Sequence, residues 1–267
     1  MSDFCTDAIL LRKIEYGDHD YIITFLTRSR GKICVIAKNA KKSVKRFSGA
    51  LDLFSVNHIQ CRFPKKNKDA LILLAQTDLE NGFGNIRYDV FKTTYACYWV
   101  ELIYLWLEEG KEQTQLYDLL FFVLDMLNQS DIRMEVLSLL FQIRFMGISG
   151  FNPNLEVCGN CSTPVDDIHQ KNVYFDFKEG RILCQNCLNK KSGPGSGSGS
   201  RYGMGVSKGT LKQLVWINTA DLQRADRIKS SLFAIKEGEI LLESFIPFHI
   251  GREFKSLKFL RQLRRER

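Results

Sequence analysis

Four cysteines, Cys158, Cys161, Cys184 and Cys187, stand in two C-x-x-C pairs separated by the 22 residues from Ser162 to Leu183. A chain that must bring both pairs together has little freedom over that stretch: it has to leave the first pair, reverse and return. Each pair encloses two residues, Gly159-Asn160 and Gln185-Asn186, that can turn tightly enough to aim two sulfurs at one point. Four soft thiolates are the donor set of a closed tetrahedral zinc site with no open catalytic position. The reversal falls to residues 173–177 and Arg181-Ile182-Leu183 around Glu179-Gly180, which read as a β-hairpin. The expectation is one structural Zn²⁺ that supplies folding energy. The alternatives are a redox C-x-x-C or two disulfides; thioredoxin-like chemistry would place one such pair at a strand-to-helix junction, whereas both pairs here read as turns.

Cys5, Cys34, Cys61 and Cys97 have no partner at metal-binding spacing, lie in apolar or strand-like stretches, and read as buried thiols. Asp3 and Asp7 precede any apolar run, and the longest unbroken apolar run in the helical region, Leu119 to Leu124, is too short to cross a bilayer. These features predict a reducing, cytoplasmic location and no membrane association.

The charge distribution says more than the net +8 of the 267 residues. Residues 1–88 hold 15 Lys/Arg against 9 Asp/Glu, residues 89–157 hold 4 against 10, and residues 158–267 hold 19 against 11. Two basic segments flanking an acidic one predict surfaces for nucleic acid at both ends and a middle better suited to protein.

The first basic segment reads as strands at 8–16, 20–27, 32–37, 53–63 and 70–77, punctuated by Tyr16-Gly17-Asp18 and Arg30-Gly31. Five short strands in about eighty residues fit an OB-like barrel, with an SH3-like barrel as the alternative. Between the third and fourth strands, residues 38–46 carry five cations, Lys38, Lys41, Lys42, Lys45 and Arg46, and no acid. This loop is the leading phosphate-contact candidate, set against the reading of a solvated basic loop. Arg12, Arg28, Arg30 and Lys32 are expected to join it if the barrel brings them near. Among Tyr16, Tyr21, Phe25, Phe47, Phe54 and Phe63, mostly core, Phe47 beside the basic run is the candidate for base stacking.

From Leu102 to Ile143 apolar residues recur at helical spacing, with breaks at Gly110, Ser130-Asp131 and Gly147, predicting three packed helices. Tyr98, Trp99, Tyr104, Phe121 and Phe122 make this region generously apolar, which fits either a well-filled core or a groove for a partner peptide. After the cysteine module comes a Gly/Ser-rich linker, then helical patterning at 210–217, 222–235 and from Ile240, ending in a basic helix. Arg252, Lys255, Lys258, Arg261, Arg264 and Arg265 are expected on its outer face, for DNA or an acidic partner, while Phe254, Leu257 and Leu260 pack inward. The predicted architecture is α+β: an N-terminal five-stranded OB-like barrel (1–82) and an all-α domain in two parts (83–157 and 206–267). Between those parts fall an inserted four-cysteine zinc module (158–191) and the linker (192–205).

Catalytic patterns are sparse. Gly205-Val206-Ser207-Lys208-Gly209 matches G-x-S-x-G, but no buried strand precedes it in an alternating α/β pattern, and His249 is the only histidine that follows. Ser207 reads as a helix N-cap. There is no Walker A sequence, no dinucleotide glycine pattern and no His-Glu-x-x-His. His19, His58 and His169 are isolated and read as surface or core residues.

The order of parts resembles the RecO family of bacterial recombination mediators. The resemblance is carried by residues 16–20 leading into 25–32, by 37–43 with 46–49, by 145–153 before Cys158, and by 251–260 near the end. It implies a non-enzymatic protein of recombinational repair, cytoplasmic and nucleoid-associated. Such a protein binds single- and double-stranded DNA, anneals complementary strands, engages the single-strand-binding protein, and with RecR helps load the RecA recombinase. A zinc-ribbon RNA-binding or transcription-associated module without annealing activity is the competing class.

Overall fold

The computed structural model describes residues 3–47, 49–64, 70–129, 132–191, 202–221 and 230–266. It divides into two compact units, Met1–Ser130 with Phe254–Arg267, and Asp131–Glu253.

The first unit is built on one long strand. β1 (Phe4–Tyr16) serves two neighbours: Phe4 to Ile9 pair with β4 (Val56–Arg62), and Ala8 to Tyr16 pair with β2 (Asp20–Thr27). A bulge between Leu10 and Arg12 marks the change and adds the twist that closure needs. β3 (Gly31–Ala37) follows β2 as a hairpin, and β5 (Ile72–Asn81) pairs antiparallel with β4 and, at Val35↔Ile72 and Ile36↔Leu73, parallel with β3. The result is a closed five-stranded OB-like barrel of order β1-β2-β3-β5-β4. Alternation drives it, as in β3, where Ile33, Val35 and Ala37 point inward to meet Leu10, Ile23, Phe25, Ile59 and Leu74.

α1 (Val44–Phe47) lies between β3 and β4, and its Phe47, 5 % exposed, belongs to the barrel core. The expected base-stacking role of Phe47 is therefore overturned. Burying this ring completes an apolar interior, and its outer side is covered by the Arg46 guanidinium at 4.7 Å.

Beyond the barrel lie α2 (Gly84–Arg87), α3 (Val90–Trp106), whose N-cap Asp89 accepts from the amides of Phe91 and Lys92, and α4 (Thr114–Gln129). α9 (Lys255–Arg265) packs along α3 in the same unit. Its first amides, of Lys255 and Ser256, donate to the Glu101 carboxylate of α3 at 3.1 and 2.8 Å, a cap supplied from another helix. Phe254, Leu257 and Leu260 are buried as their spacing predicts.

The outer face of β1–β3 is covered by the end of α3 and the start of α4. Lys32 donates to the Tyr104 carbonyl at 2.9 Å and lies over its ring, Arg12 bonds the Tyr104 hydroxyl, and the Gly110 amide donates to the Lys32 carbonyl at 3.0 Å. The backbone approach is so close that a β-carbon on Gly31 would overlap the Lys111 carbonyl, and Gly31 also has φ +63°.

In the second unit α5 (Met134–Ile148), α7 (Lys208–Thr219) and α8 (Leu232–Ile250) pack together, with Gly238 of α8 admitting Leu139 and Leu214. The three helices predicted from 102 to 143 are present as α3, α4 and α5, but not as one packed group: α3 and α4 belong to the first unit, and α5 belongs to the second, where α7 and α8 are its partners. A small sheet carries the cysteine module: β6 (Asn172–Asp176) between β7 (Arg181–Leu183) and β8 (Gly203–Ser207). β6 and β7 are the predicted hairpin. β8 differs from expectation, since residues 203–205 pair with β6 where composition suggests linker; Gly203 passes too close to Phe175 and Tyr174 for a side chain. Residues 192–201 and the pattern at 222–229 lie outside the described residues.

Gly31 and Gly17 share the same backbone region, yet a β-carbon at Gly17 meets nothing within 4 Å. Gly17→Ala should cost about 1 kcal/mol, the left-handed penalty alone. Gly31→Ala should cost about 2–4 kcal/mol, because steric overlap is added. Urea denaturation of the two variants measures the difference, and equal losses would show that the β3 contact is not tight.

Candidate metal centre and nucleic-acid interface

The cysteine pairs converge through their backbone. The first knuckle closes with the Cys158 amide donating to the Thr163 carbonyl and the Ser162 amide to the Cys158 carbonyl, both at 2.8 Å, while the Gly159 amide reaches the Ile182 carbonyl of β7 at 2.8 Å. Arg181 drapes its stem over Gly159, where a β-carbon would collide, and donates to the Gly159 carbonyl at 2.7 Å. The second pair departs from expectation: Cys184 directly precedes α6 (Gln185–Lys191), so Cys184 and Cys187 meet across a helical first turn.

All four sulfurs lie within 4.8 Å of one another. Cys161 and Cys184 are 3.8 Å apart, matching the edge of a tetrahedron with metal–sulfur bonds of about 2.3 Å, which is about 3.8 Å. The Cys184 amide points at Cys158 Sγ at 3.4 Å, an orientation that favours thiolate. The hydroxyl and then the amide of Thr163 hold the Cys161 thiol down to about 6, whereas the neighbouring Cys184 thiol, and then burial, push Cys187 up to about 12. Four sulfurs this close cannot all be anionic without a cation among them, so the cluster can hold one metal ion. All four are thiols and none is joined in a disulfide.

Of the four cysteines outside this cluster only Cys61 is buried, and its thiol is raised to about 12 by desolvation. Cys34 and Cys97 are half-buried, and Cys5 is exposed, against the expectation for all four: it alternates outward on β1 while its neighbours Phe4 and Thr6 face in. Ser207 is the N-cap of α7 as predicted, accepting from the Thr210 amide, and its hydroxyl donates to Glu237 at 2.6 Å. His249 Nε2 is 2.7 Å from the Phe177 carbonyl, so the nearest partners of neither residue assemble a triad.

The cationic candidates separate into two groups. Lys38, Lys41, Lys42 and Lys45 are exposed on the rim where the Lys41 amide binds the His19 carbonyl of the β1–β2 turn. Lys41 is paired with Glu15 at 2.8 Å, and Arg46 donates to the Lys38 carbonyl at 2.8 Å. Lys38, Lys42 and Lys45 make no ion pair among the described residues. Arg28 and Arg30 sit in the turn at the far end of β2, which at eight residues puts them about 23 Å from the basic loop. The barrel therefore keeps apart residues expected to gather. Arg28 pairs with Asp118 of α4 at 3.4 Å, Arg30 lies over Phe4 at 4.3 Å, and Lys32 is held by Tyr104. Sequence reasoning missed Lys13, which lies over the Tyr21 ring at 5.2 Å, close to where Lys41 reaches the same ring at 5.7 Å. Its place in a strand, not a charge run, hid it.

On α9, Lys255, Lys258, Arg261 and Arg265 are exposed with Phe259. Arg264 instead donates to the Tyr95 hydroxyl at 3.0 Å and stacks on its ring. Arg252 precedes the helix, in the turn after Gly251. In the middle region Tyr98 and Trp99 are fully buried. A groove of about 490 Å³ lies in the second unit, lined by the apolar Leu155, Val157, Pro164, Val165, Val215 and Trp216 together with Glu156, Asp166, Lys212 and Thr219.

A closed five-stranded OB-like barrel joined to helices, with a four-thiol cluster able to hold one metal ion, defines the architectural class of this chain. No helix among the described residues is long and apolar enough to cross a membrane. Residues 1–83 match the model for the Recombination protein O N terminal region, and residues 87–258 the model for the C terminal region. The chain is 42 % identical over 265 residues to the DNA repair protein RecO of Desulfatibacillum aliphaticivorans, covering 99 % of each. It is 36 % identical over 265 residues to that of Desulfosudis oleivorans, again covering 99 % of each. Against that of Syntrophus aciditrophicus it is 30 % identical over 260 residues, 97 % of this chain and 96 % of the relative. The chain belongs to the RecO family of DNA repair proteins.

If all four thiolates share one ion, Cys184→Ser should leave the purified protein with well under one equivalent of metal by atomic absorption. The first unit should stay folded by circular dichroism. Full metal retention would refute the four-thiolate centre.

Proposed function

We propose that this protein is a non-enzymatic recombination mediator that binds single- and double-stranded DNA and anneals complementary strands. In this reading it acts on DNA coated with single-strand-binding protein and, with RecR, helps to load the RecA recombinase, working in the cytoplasm at the nucleoid. The ion held by Cys158, Cys161, Cys184 and Cys187 is Zn²⁺, with a structural role: an all-thiolate tetrahedron suits that ion and leaves no position for substrate.

The observation that carries the DNA-binding reading is the exposed rim of Lys38, Lys42 and Lys45, three cations with no ion pair among the described residues. Annealing brings two polyanions together, so its main opposing force is phosphate repulsion. Cations that project from a rim offset that repulsion without reading bases. Arg28, Arg30 and Lys32 contribute less directly to DNA contact, because Asp118, Phe4 and Tyr104 already engage them. The exposed face of α9, with Lys255, Lys258 and Arg265, supports a second contact with DNA or an acidic protein segment.

Each phosphate contact releases roughly one counterion on duplex DNA. Changing Lys38, Lys42 and Lys45 together to Ala should therefore flatten the slope of log affinity against log salt by about two to three units. Sequence preference should not change. A folded triple variant that keeps the wild-type salt slope would move the DNA site away from this rim.

A further inference from the structure

Three adjacent barrel strands bring Asp7, His58 and Glu80 together on the outside of the first unit. Asp7 of β1 stands directly opposite His58 of β4 in the ladder, and His58 Nδ1 lies 2.8 Å from Asp7 Oδ1. Where β4 meets β5 the register passes from Asn57↔Leu79 to Val56↔Asn81, so Glu80 is the unpaired residue of a bulge. Bulges re-aim side chains, and here the donor atoms of all three residues fall within 4.8 Å of one another. Donors around one ion sit at most about 4.2 Å apart, so these exposed side chains need close by only about an ångström.

A second observation comes from α4. Tyr117 is 5 % exposed, and its hydroxyl has no hydrogen-bond partner among the described residues. Burial, and then the Asp7 and Glu80 carboxylates, push its phenol far up, so both carboxylates act on this ring from the barrel side. Arg28, whose charge also acts on Tyr117, is held by Asp118 at 3.4 Å.

We infer that Asp7, His58 and Glu80 form a second, open divalent-metal site on the barrel, distinct from the four-cysteine centre. One imidazole and two carboxylates are a harder donor set than four thiolates and suit Mn²⁺, Fe²⁺ or Zn²⁺. Three protein ligands leave positions for water, as the solvent-facing side of the cluster allows. The inference is independent of the proposed DNA activity.

Mn²⁺ is the selective probe, since thiolates favour softer ions. The full-length, zinc-loaded protein is titrated with Mn²⁺ while the free-ion signal is followed by electron paramagnetic resonance. Wild type should remove close to one equivalent. His58→Ala, and Glu80→Gln as the variant least able to disturb folding, should weaken binding by about tenfold or more. Cys184→Ser should bind Mn²⁺ as wild type does. No uptake by wild type up to millimolar Mn²⁺, a Glu80→Gln protein that titrates like wild type, or loss of uptake in Cys184→Ser would each overturn the inference.

Discussion

The contact between β3 and the chain leaving α3 determines what the barrel can offer a ligand. Gly31 lets the backbone pass against Lys111, the Lys32 carbonyl accepts from Gly110, and the Lys32 ammonium is used on Tyr104. OB barrels commonly bind oligonucleotides across strands 2 and 3. Here the Lys32 end of that face is occupied by the protein's own helices. Cations left for solvent are therefore those at the rim, beyond the strand ends, and the electrostatic surface is a set of projecting side chains, not a lined groove.

The same contact explains the character of α3. This helix is apolar around most of its circumference, with Tyr95, Tyr98 and Trp99 buried, because it has partners on several sides. Its end covers the barrel, α4 packs beside it, and α9 lies along it, capped by Glu101 and pinned where Arg264 stacks on Tyr95. The basic C-terminal helix is thus part of the barrel's own unit, and its inward residues are structural. Lys255, Lys258, Arg261 and Arg265 lie on its exposed side.

Much of this was legible in the residues alone. The cysteine spacing implied a shared ion because local turn geometry depends on few variables, and the strands were visible because inward and outward residues alternate strictly in segments such as Gly31–Ala37. What escaped was set by register and tertiary contact. Arg28 and Lys38 are close in sequence but lie at opposite ends of a hairpin, a fact fixed only once Tyr21 pairs with Ala37 and Thr27 with Gly31. Phe47 looked available beside lysines, yet a four-residue helix turns it into the core. Asp7, His58 and Glu80 are separated by long stretches of chain, and a bulge brings them together. No local pattern announces such a group.

In the proposed function, charge neutralisation at the barrel rim drives strand annealing, with no separate chemical step. The decisive experiment is the annealing rate of complementary DNA coated with single-strand-binding protein, measured from low to high salt beside an RNA competitor. Protein-dependent annealing should fall with salt in parallel with DNA affinity, and RNA at equal concentration should not abolish it. Tight DNA binding without annealing, or complete competition by RNA, would contradict the proposed role.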